Sequence, residues 1–382
     1  MSGFVFEIGL GFLVLMFLIG IVIRSVLFLP RRSAEQPENP VRKTLQQKQT
    51  ETSDEHEKKK RSLTRKARQA VKKGIFQAAE DFLFQASGVG DDDPRLLRDL
   101  ATAMLGQGKL DKARVTLEKL TRLEPTEENM LLLGQVLCEL SSTSSNKEHV
   151  HNSLFCYQSI LKKNPGSVQG LIGIAKAYEV LGRYDDAFLS YHQAFELDPN
   201  QIEIGLRVAQ EYERKHMMTE LEQTIDTLST YHPQDEAVGL RRVKFLFLKK
   251  DHLALVGETA RMLALYPDSP EFIRYAGLGA YHLNRFQEAV EYLTTLSQAD
   301  PGKAVNHYNL ALAYIGLQQY DEAASSVQKA VDLASDVSKF HFLLGKVYLW
   351  KGDTEQAAKA LSRAVALDPD NFEALSELKR IS

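Results

Sequence analysis

Five prolines, Pro165, Pro199, Pro233, Pro267 and Pro301, recur at one constant interval of roughly 34 residues, Ser335 stands where the next is due, and Pro369 closes the series. A period of this length marks an array of small supersecondary units rather than one folded core, because each unit buries its apolar face only against its neighbours. A chain of 382 residues would otherwise suggest two or three compact domains. The period overrides that prior.

The unit from Val168 to Pro199 shows what is repeated. Leu171, Ile174, Ala175, Tyr178 and Val180 form one apolar stripe at helical spacing, and Ala187, Tyr191, Ala194 and Leu197 form a second. Between them Gly182 supplies a positive φ at the end of the first helix, and Arg183, Tyr184, Asp185 and Asp186 restart the chain. Asp198-Pro199 ends the second helix, since proline lacks the amide donor and restricts the residue before it. The unit is a helical hairpin, with Ala175 and Ala187 where the helices approach and Tyr178 and Tyr191 filling the space between hairpins.

The same marks return along the chain. Gly345, Tyr348, Gly352, Ala357, Leu361, Ala364 and Pro369 make one copy, and Leu310, Ala311, Tyr314, Ala323, Val327 and Ala330 another. Gly277, Ala289, Leu293 and Pro301 make a third, and Ala209, Tyr212, Ile225 and Pro233 a weaker one. Position by position this resembles the tetratricopeptide repeat family, over roughly residues 64 to 382. The unit around Val243 is the most degenerate, with Leu255 at a usually small position, and a looser joint is expected there.

The register breaks once. Pro125 precedes Pro165 by more than one period, and the surplus lies in a serine-rich polar stretch, residues 141–149, read here as a lengthened turn inside the third hairpin. Ala101, Gly108, Ala113, Leu117 and Pro125 mark a second unit, and Ala67, Gly74, Ala79, Leu83 and Ala86 a first. The resemblance thus implies an all-α fold: a right-handed superhelical solenoid of about nine helix-turn-helix hairpins over 63–370, with a capping helix at 371–382. A single transmembrane helix is expected to precede it.

That helix is read from Phe4 to Ile23, apolar except for Glu7 and long enough to cross a hydrocarbon core of about 30 Å. Val26 to Leu29 extend it, giving an anchor over 4–29. Arg24, Arg31, Arg32, Arg42 and Lys43 all follow the apolar run, so the expected localisation is single-pass, N-terminus outside and array on the cytoplasmic face of what would be a bacterial inner membrane. Residues 30–62, polar and with Pro37 and Pro40, read as a flexible tether. Its end merges into a basic cluster of Lys58, Lys59, Lys60, Arg61, Arg65, Lys66, Arg68, Lys72 and Lys73. Two readings stand for that cluster: contact with anionic lipid, or the solvated face of the first helix. With no aromatic residue interleaved and a net charge of -3, nucleic acid is not an expected partner.

Catalytic signatures are missing: no GxxxxGK[ST], HExxH, CxxC or GxSxG occurs, so no enzyme activity, cofactor or metal is assigned. Cys138 and Cys156 lie on opposite helices of the third hairpin and read as buried thiols rather than a disulfide. His307 and His341, one period apart on successive first helices, read as packed side chains rather than metal ligands.

In the family the first helices line a concave, protein-binding surface. Carried onto this sequence, its groove positions are Leu240, Lys244 and Phe247; Arg274, Leu278 and Tyr281; Tyr308, Leu312 and Ile315; Phe342, Lys346 and Leu349. The matching middle residues, Lys176, Glu179, Glu203, Gln210 and Glu213, are far more polar. An apolar groove with scattered cations suits an extended protein segment or an amphipathic helix. The carboxylate clamp of the family's co-chaperones is matched only by Arg274, Asn309 and Lys339, with Leu278 and Leu343 at its other two places. The expectation is a membrane-anchored scaffold or adaptor for complex assembly. Its order of anchor, Arg31-Arg32-Ser33, tether and repeats is similar to bacterial inner-membrane proteins regulating lipopolysaccharide assembly, without their terminal rubredoxin-like CxxC pair. The alternatives are a periplasm-facing assembly factor, as in cytochrome maturation, pilus or envelope biogenesis, and an organelle import receptor.

Overall fold

The computed structural model describes residues 40–88, 93–144 and 147–381, and among them contains nineteen α-helices and no strand. The chain divides into two compact units, one ending at Gln107 and the other beginning at Gly108. That boundary falls inside the second hairpin of the sequence reading.

The first unit contains α1 (Pro40–Lys72), α2 (Phe76–Ser87) and α3 (Pro94–Gly106). Leu63, Ala67 and Ala70 of α1, Ala79, Leu83 and Ala86 of α2, and Leu96 and Ala103 of α3 form its core. Asp93 caps α3 by accepting from the Arg95 N–H at 2.9 Å, with Pro94 at the first helical position, where its missing donor costs nothing. A side chain on Gly106 would overlap the Phe76 ring, so glycine lets α3 close against α2.

Helix α1 differs from the expected tether, because residues 40–62 belong to it. Lys, Arg, Gln and Glu, which dominate this stretch, are good helix formers, and the packing of Leu63, Ala67 and Ala70 gives the helix a fixed end from which to propagate. The expected membrane localisation is also corrected. No helix among the described residues is long and apolar enough to cross a membrane. Helix α1 has the length but carries charge throughout, which hydrocarbon does not tolerate. The expected span, 4–29, lies outside the described residues.

The second unit opens with α4 (Leu110–Leu123) and continues as hairpins α5 (Glu127–Ser144) with α6 (Lys147–Lys163), α7 (Val168–Val180) with α8 (Tyr184–Leu197), and α9 (Ile202–Arg214) with α10 (Met218–Tyr231). Then come α11 (Glu236–Leu248) with α12 (His252–Leu265), α13 (Pro270–His282) with α14 (Phe286–Ala299), α15 (Ala304–Gly316) with α16 (Tyr320–Leu333), and α17 (Ser338–Lys351) with α18 (Thr354–Leu367). Helix α19 (Phe372–Ile381) lays Ala374, Leu378 and Ile381 against Leu361 and Ala364 of α18.

Each hairpin from α7 onward is folded by the same backbone device. A residue with left-handed φ follows the first helix at Gly182, His216, Lys250, Asn284, Gln318 and Gly352, the same period as the prolines. The next N–H reaches back five residues: Arg183 to the Tyr178 carbonyl at 2.9 Å, Asp251 to Leu246 at 3.0 Å, Gln319 to Tyr314 at 2.9 Å and Asp353 to Tyr348 at 2.9 Å. This satisfies carbonyls that the helix end leaves orphaned. Four of the six positions are not glycine, and each of those side chains costs roughly 1 kcal/mol of strain.

The third hairpin accommodates its surplus differently from the expected loop. Helix α5 runs through Ser144 and α6 restarts at Lys147, so most of the insertion lengthens the helices. The hydroxyls are satisfied internally: Ser142 Oγ donates to the Glu139 carbonyl at 2.8 Å, and Thr143 Oγ1 to Leu140 at 3.1 Å. Tyr157 locks this hairpin to the next. Its ring occupies the space that side chains on Gly134 of α5 and Gly173 of α7 would need. Cys138 and Cys156 are free thiols, with Cys138 Sγ 3.1 Å from Ser153 Oγ and burial pushing Cys156 up to about 11.

The degenerate hairpin is filled rather than loosened, since Val243 and Leu255 are both fully buried in one cluster with Met262 and Phe272. His307 and His341 are buried as well. Their Nε2 atoms lie 3.0 Å from the Pro301 carbonyl and 2.9 Å from that of Ser335, so each ring ties the start of its helix to the preceding turn.

The turn geometry yields one expectation. Lys250→Gly and Gln318→Gly should each raise stability by about 0.5–1 kcal/mol, and Gly182→Ala should lower it by about 1 kcal/mol, read as shifts of the urea midpoint. A second concerns pH. Burial, reinforced by Cys138 and Cys156, raises the Tyr157 phenol above its ordinary value, so the folded state holds that proton and the associated stability is lost as pH climbs past the unfolded value of about 10. Tyr157→Phe should match the parent's thermal midpoint trend below that pH, then fall less steeply by up to about 1.4 kcal/mol per pH unit. Parallel curves would show that the phenol is not held neutral.

Candidate protein-binding groove

The first helices of the last four hairpins, α11, α13, α15 and α17, carry the twelve groove residues of the sequence reading. All twelve are half-buried. The nine apolar and aromatic ones pack on core clusters while remaining partly open to solvent, as a binding surface on a thin repeat requires.

The structure gathers the apolar ones into four groups rather than one strip. Leu240 and Phe247 of α11 join Leu278 of α13 on a cluster with Val243, Leu246 and Tyr275. Tyr281 packs on a neighbouring cluster with Ile273 and Ala280. Tyr308, Leu312 and Ile315 of α15 lie against Phe340, Leu343 and Leu344 of α17, the Tyr308 and Phe340 rings 5.2 Å apart. Phe342 and Leu349 pack toward Ala374 and Leu378 of the closing helix. The last pair therefore serves the cap as well as any groove.

The cations lie along aromatic faces. Arg274 pairs with Glu271 and sits 4.6 Å from the Tyr275 ring centre. Lys346 Nζ lies 5.6 Å over Phe342 and 5.2 Å over Trp350. Two further residues join them: Lys339, which the sequence offers only as a clamp match, and Trp350, which it does not single out. Lys339 Nζ lies 5.3 Å over Tyr308 and 5.5 Å over Phe340, and Trp350, 43% exposed, stacks at 5.8 Å on Tyr320. The even spacing of Phe342, Lys346 and Trp350 was the available signal, since one helical turn between each places all three along one side of a helix. Such contacts are worth about 0.5–1 kcal/mol at exposed sites, and more if a ligand removes water from them.

The middle hairpins present a different surface. Tyr191 Oη donates to Glu179 at 3.0 Å, and Arg207 bonds the same carboxylate at 2.7 Å while also lying 3.4 Å from Glu203. Glu179, Tyr191 and Arg207 line a cavity of about 240 Å³. Burial, then the Glu179 charge, raises the Tyr191 phenol, keeping it a neutral donor. Glu213 pairs with Arg241 at 2.9 Å. Charge here is largely consumed internally.

Of the co-chaperone clamp positions, Leu343 is buried and Leu278 half-buried in apolar clusters, so the five polar groups do not assemble. The basic cluster of α1 splits. Lys60, Arg61, Arg65, Arg68 and Lys72 line a cleft facing α3, whereas Lys58, Lys59, Lys66 and Lys73 are exposed and do not line it.

Parts of the chain resemble known proteins. Profiles of the tetratricopeptide repeat match residues 94–119, 168–201 and 308–372. The TPR repeat-containing protein YpiA of Bacillus subtilis (strain 168) is 25% identical over 315 residues, 81% of this chain and 72% of that protein. An Hsp70-Hsp90 organizing protein of Triticum aestivum is 32% identical over 95 residues, 25% of this chain and only 16% of that protein's length. Among solved structures, PilW, a type IV pilus biogenesis factor, aligns with a TM-score of 0.48 at 18% identity over 55% of this chain and 98% of that one. MamA 41-end from Desulfovibrio magneticus RS-1 aligns at 0.42 and 22% identity, covering 44% and 96%. The three matched stretches of this chain are tetratricopeptide repeats.

Proposed function

We propose that this protein is a non-catalytic scaffold that holds a segment of another protein along the first helices of its last four hairpins. The observation that carries the reading is the half-buried apolar and aromatic set on α11, α13, α15 and α17, with Lys339 and Lys346 laid over its rings. Tetratricopeptide proteins are in general protein-interaction scaffolds, and the name of the wheat relative describes an organiser of other proteins. The apolar clamp positions argue against a partner held by its terminal carboxylate alone. An extended segment or amphipathic helix with apolar anchors and acidic flanks suits the surface better, because anchors fill the gaps between rings while carboxylates meet the lysines. Residues 371–382 act in this reading as the closing cap, keeping α18 from exposing its apolar face.

A photo-crosslinking amino acid tests the assignment. Placed at Leu312 or Lys346, it should capture partner segments sharing that apolar and acidic pattern, and Lys339→Glu with Lys346→Glu should reduce their capture about tenfold with helix content unchanged. Equal capture from Leu189, an exposed position on a second helix, would remove the groove from consideration.

A further inference from the structure

Within the first unit, α1 and α3 enclose a cleft of about 570 Å³ whose lining is predominantly cationic. Arg61, Arg65, Arg68 and Lys72 recur at helical spacing on one side of α1, Lys60 stands beside them, and Arg95 faces them from the first turn of α3. Against these six cations the lining includes two carboxylates, Glu57 and Asp93, leaving an excess of four positive charges. Thr64 and Gln69 supply further polar groups and Leu96 an apolar one.

A bland account of such a stripe is that neighbouring acids neutralise it, and for half of it this holds. Lys60 lies 3.2 Å from Asp93 and Arg68 2.8 Å from Asp99, two bridges that tie α1 to α3, while Arg61 lies 3.4 Å from Glu57 on its own helix. Arg65, Lys72 and Arg95 have no ion pair among the described residues, and all three are exposed. The bridged residues fix the walls and the unbridged ones are left to act on a ligand. Like charges held this close repel one another, so a multivalent anion gains from all of them together.

We propose that this cleft binds a compact ligand carrying several phosphate groups. Guanidinium forks meet phosphate oxygens two bonds at a time, and Lys72 adds a point charge at the end of the row. The volume is that of a small-molecule site. No aromatic side chain lines it, so a nucleobase would find no stacking platform, and the recognised part of the ligand is the phosphate cluster itself.

Titration calorimetry of the full chain with inorganic tripolyphosphate is the test. Binding is expected at low salt and should weaken as salt rises. The triple variant Arg65→Gln, Lys72→Gln, Arg95→Gln should bind at least about tenfold more weakly. These side chains are exposed and unbridged, and an unchanged circular dichroism spectrum confirms that the fold is intact. Lys162→Gln with Lys379→Gln, exposed positions on the other unit, should bind like the parent. No binding by the parent, or equal binding by the triple variant, would overturn the proposal. So would binding, dependent on the same three residues, to phosphatidylglycerol vesicles or single-stranded RNA when tripolyphosphate does not bind.

Discussion

One backbone hydrogen bond sets the geometry of the repeat: an N–H reaching across a left-handed residue to a carbonyl five positions back. It appears at Ile75 in the first unit and at Arg183, Met217, Asp251, Arg285, Gln319 and Asp353 in the second. Once that turn is fixed, the two helices of a hairpin leave it at a set angle, and the residues that meet between them must stay small or shape-matched. Ala175, Ala209, Gly277, Ala311 and Gly345 occupy one such meeting point at the repeat interval. The regularity of the prolines is downstream of this turn. They stop the second helix where the first helix of the next hairpin must begin.

Features governed by short-range rules were legible in the sequence. Helix ends, the small positions of each hairpin, the buried histidines and the free thiols all follow from spacing and residue type. Where the reading went astray, a longer-range term decided. Residues 40–62 read as a tether by their polar composition, but they continue into Leu63, Ala67 and Ala70, whose packing anchors one end of the helix. The stretch 141–149 reads as a loop by composition, but hydroxyls bonded back to Glu139 and Leu140 let α5 run on. Leu255 reads as a defect by comparison with other units, yet Val243 sits opposite it and the pair is fully buried.

The groove was half legible. Register places the proposed groove residues on the first helices, but it does not tell which edge of a half-buried ring faces a partner. Phe342 and Leu349 illustrate the limit, because the closing helix claims part of the same surface. The cationic cleft of the first unit was harder still. The cations of α1 stand out in the sequence, but Arg95 lies well beyond them in the chain, and only the fold brings it opposite them.

The only tryptophan in the sequence is Trp350, and it stands on α17, stacked on Tyr320 and approached by Lys346. Indole emission shifts in colour with the polarity and hydration around the ring. The molecule thus carries a built-in optical probe: a guest settling beside α17 would change the colour of its fluorescence without any added dye, and a guest docking elsewhere would leave it dark to the event.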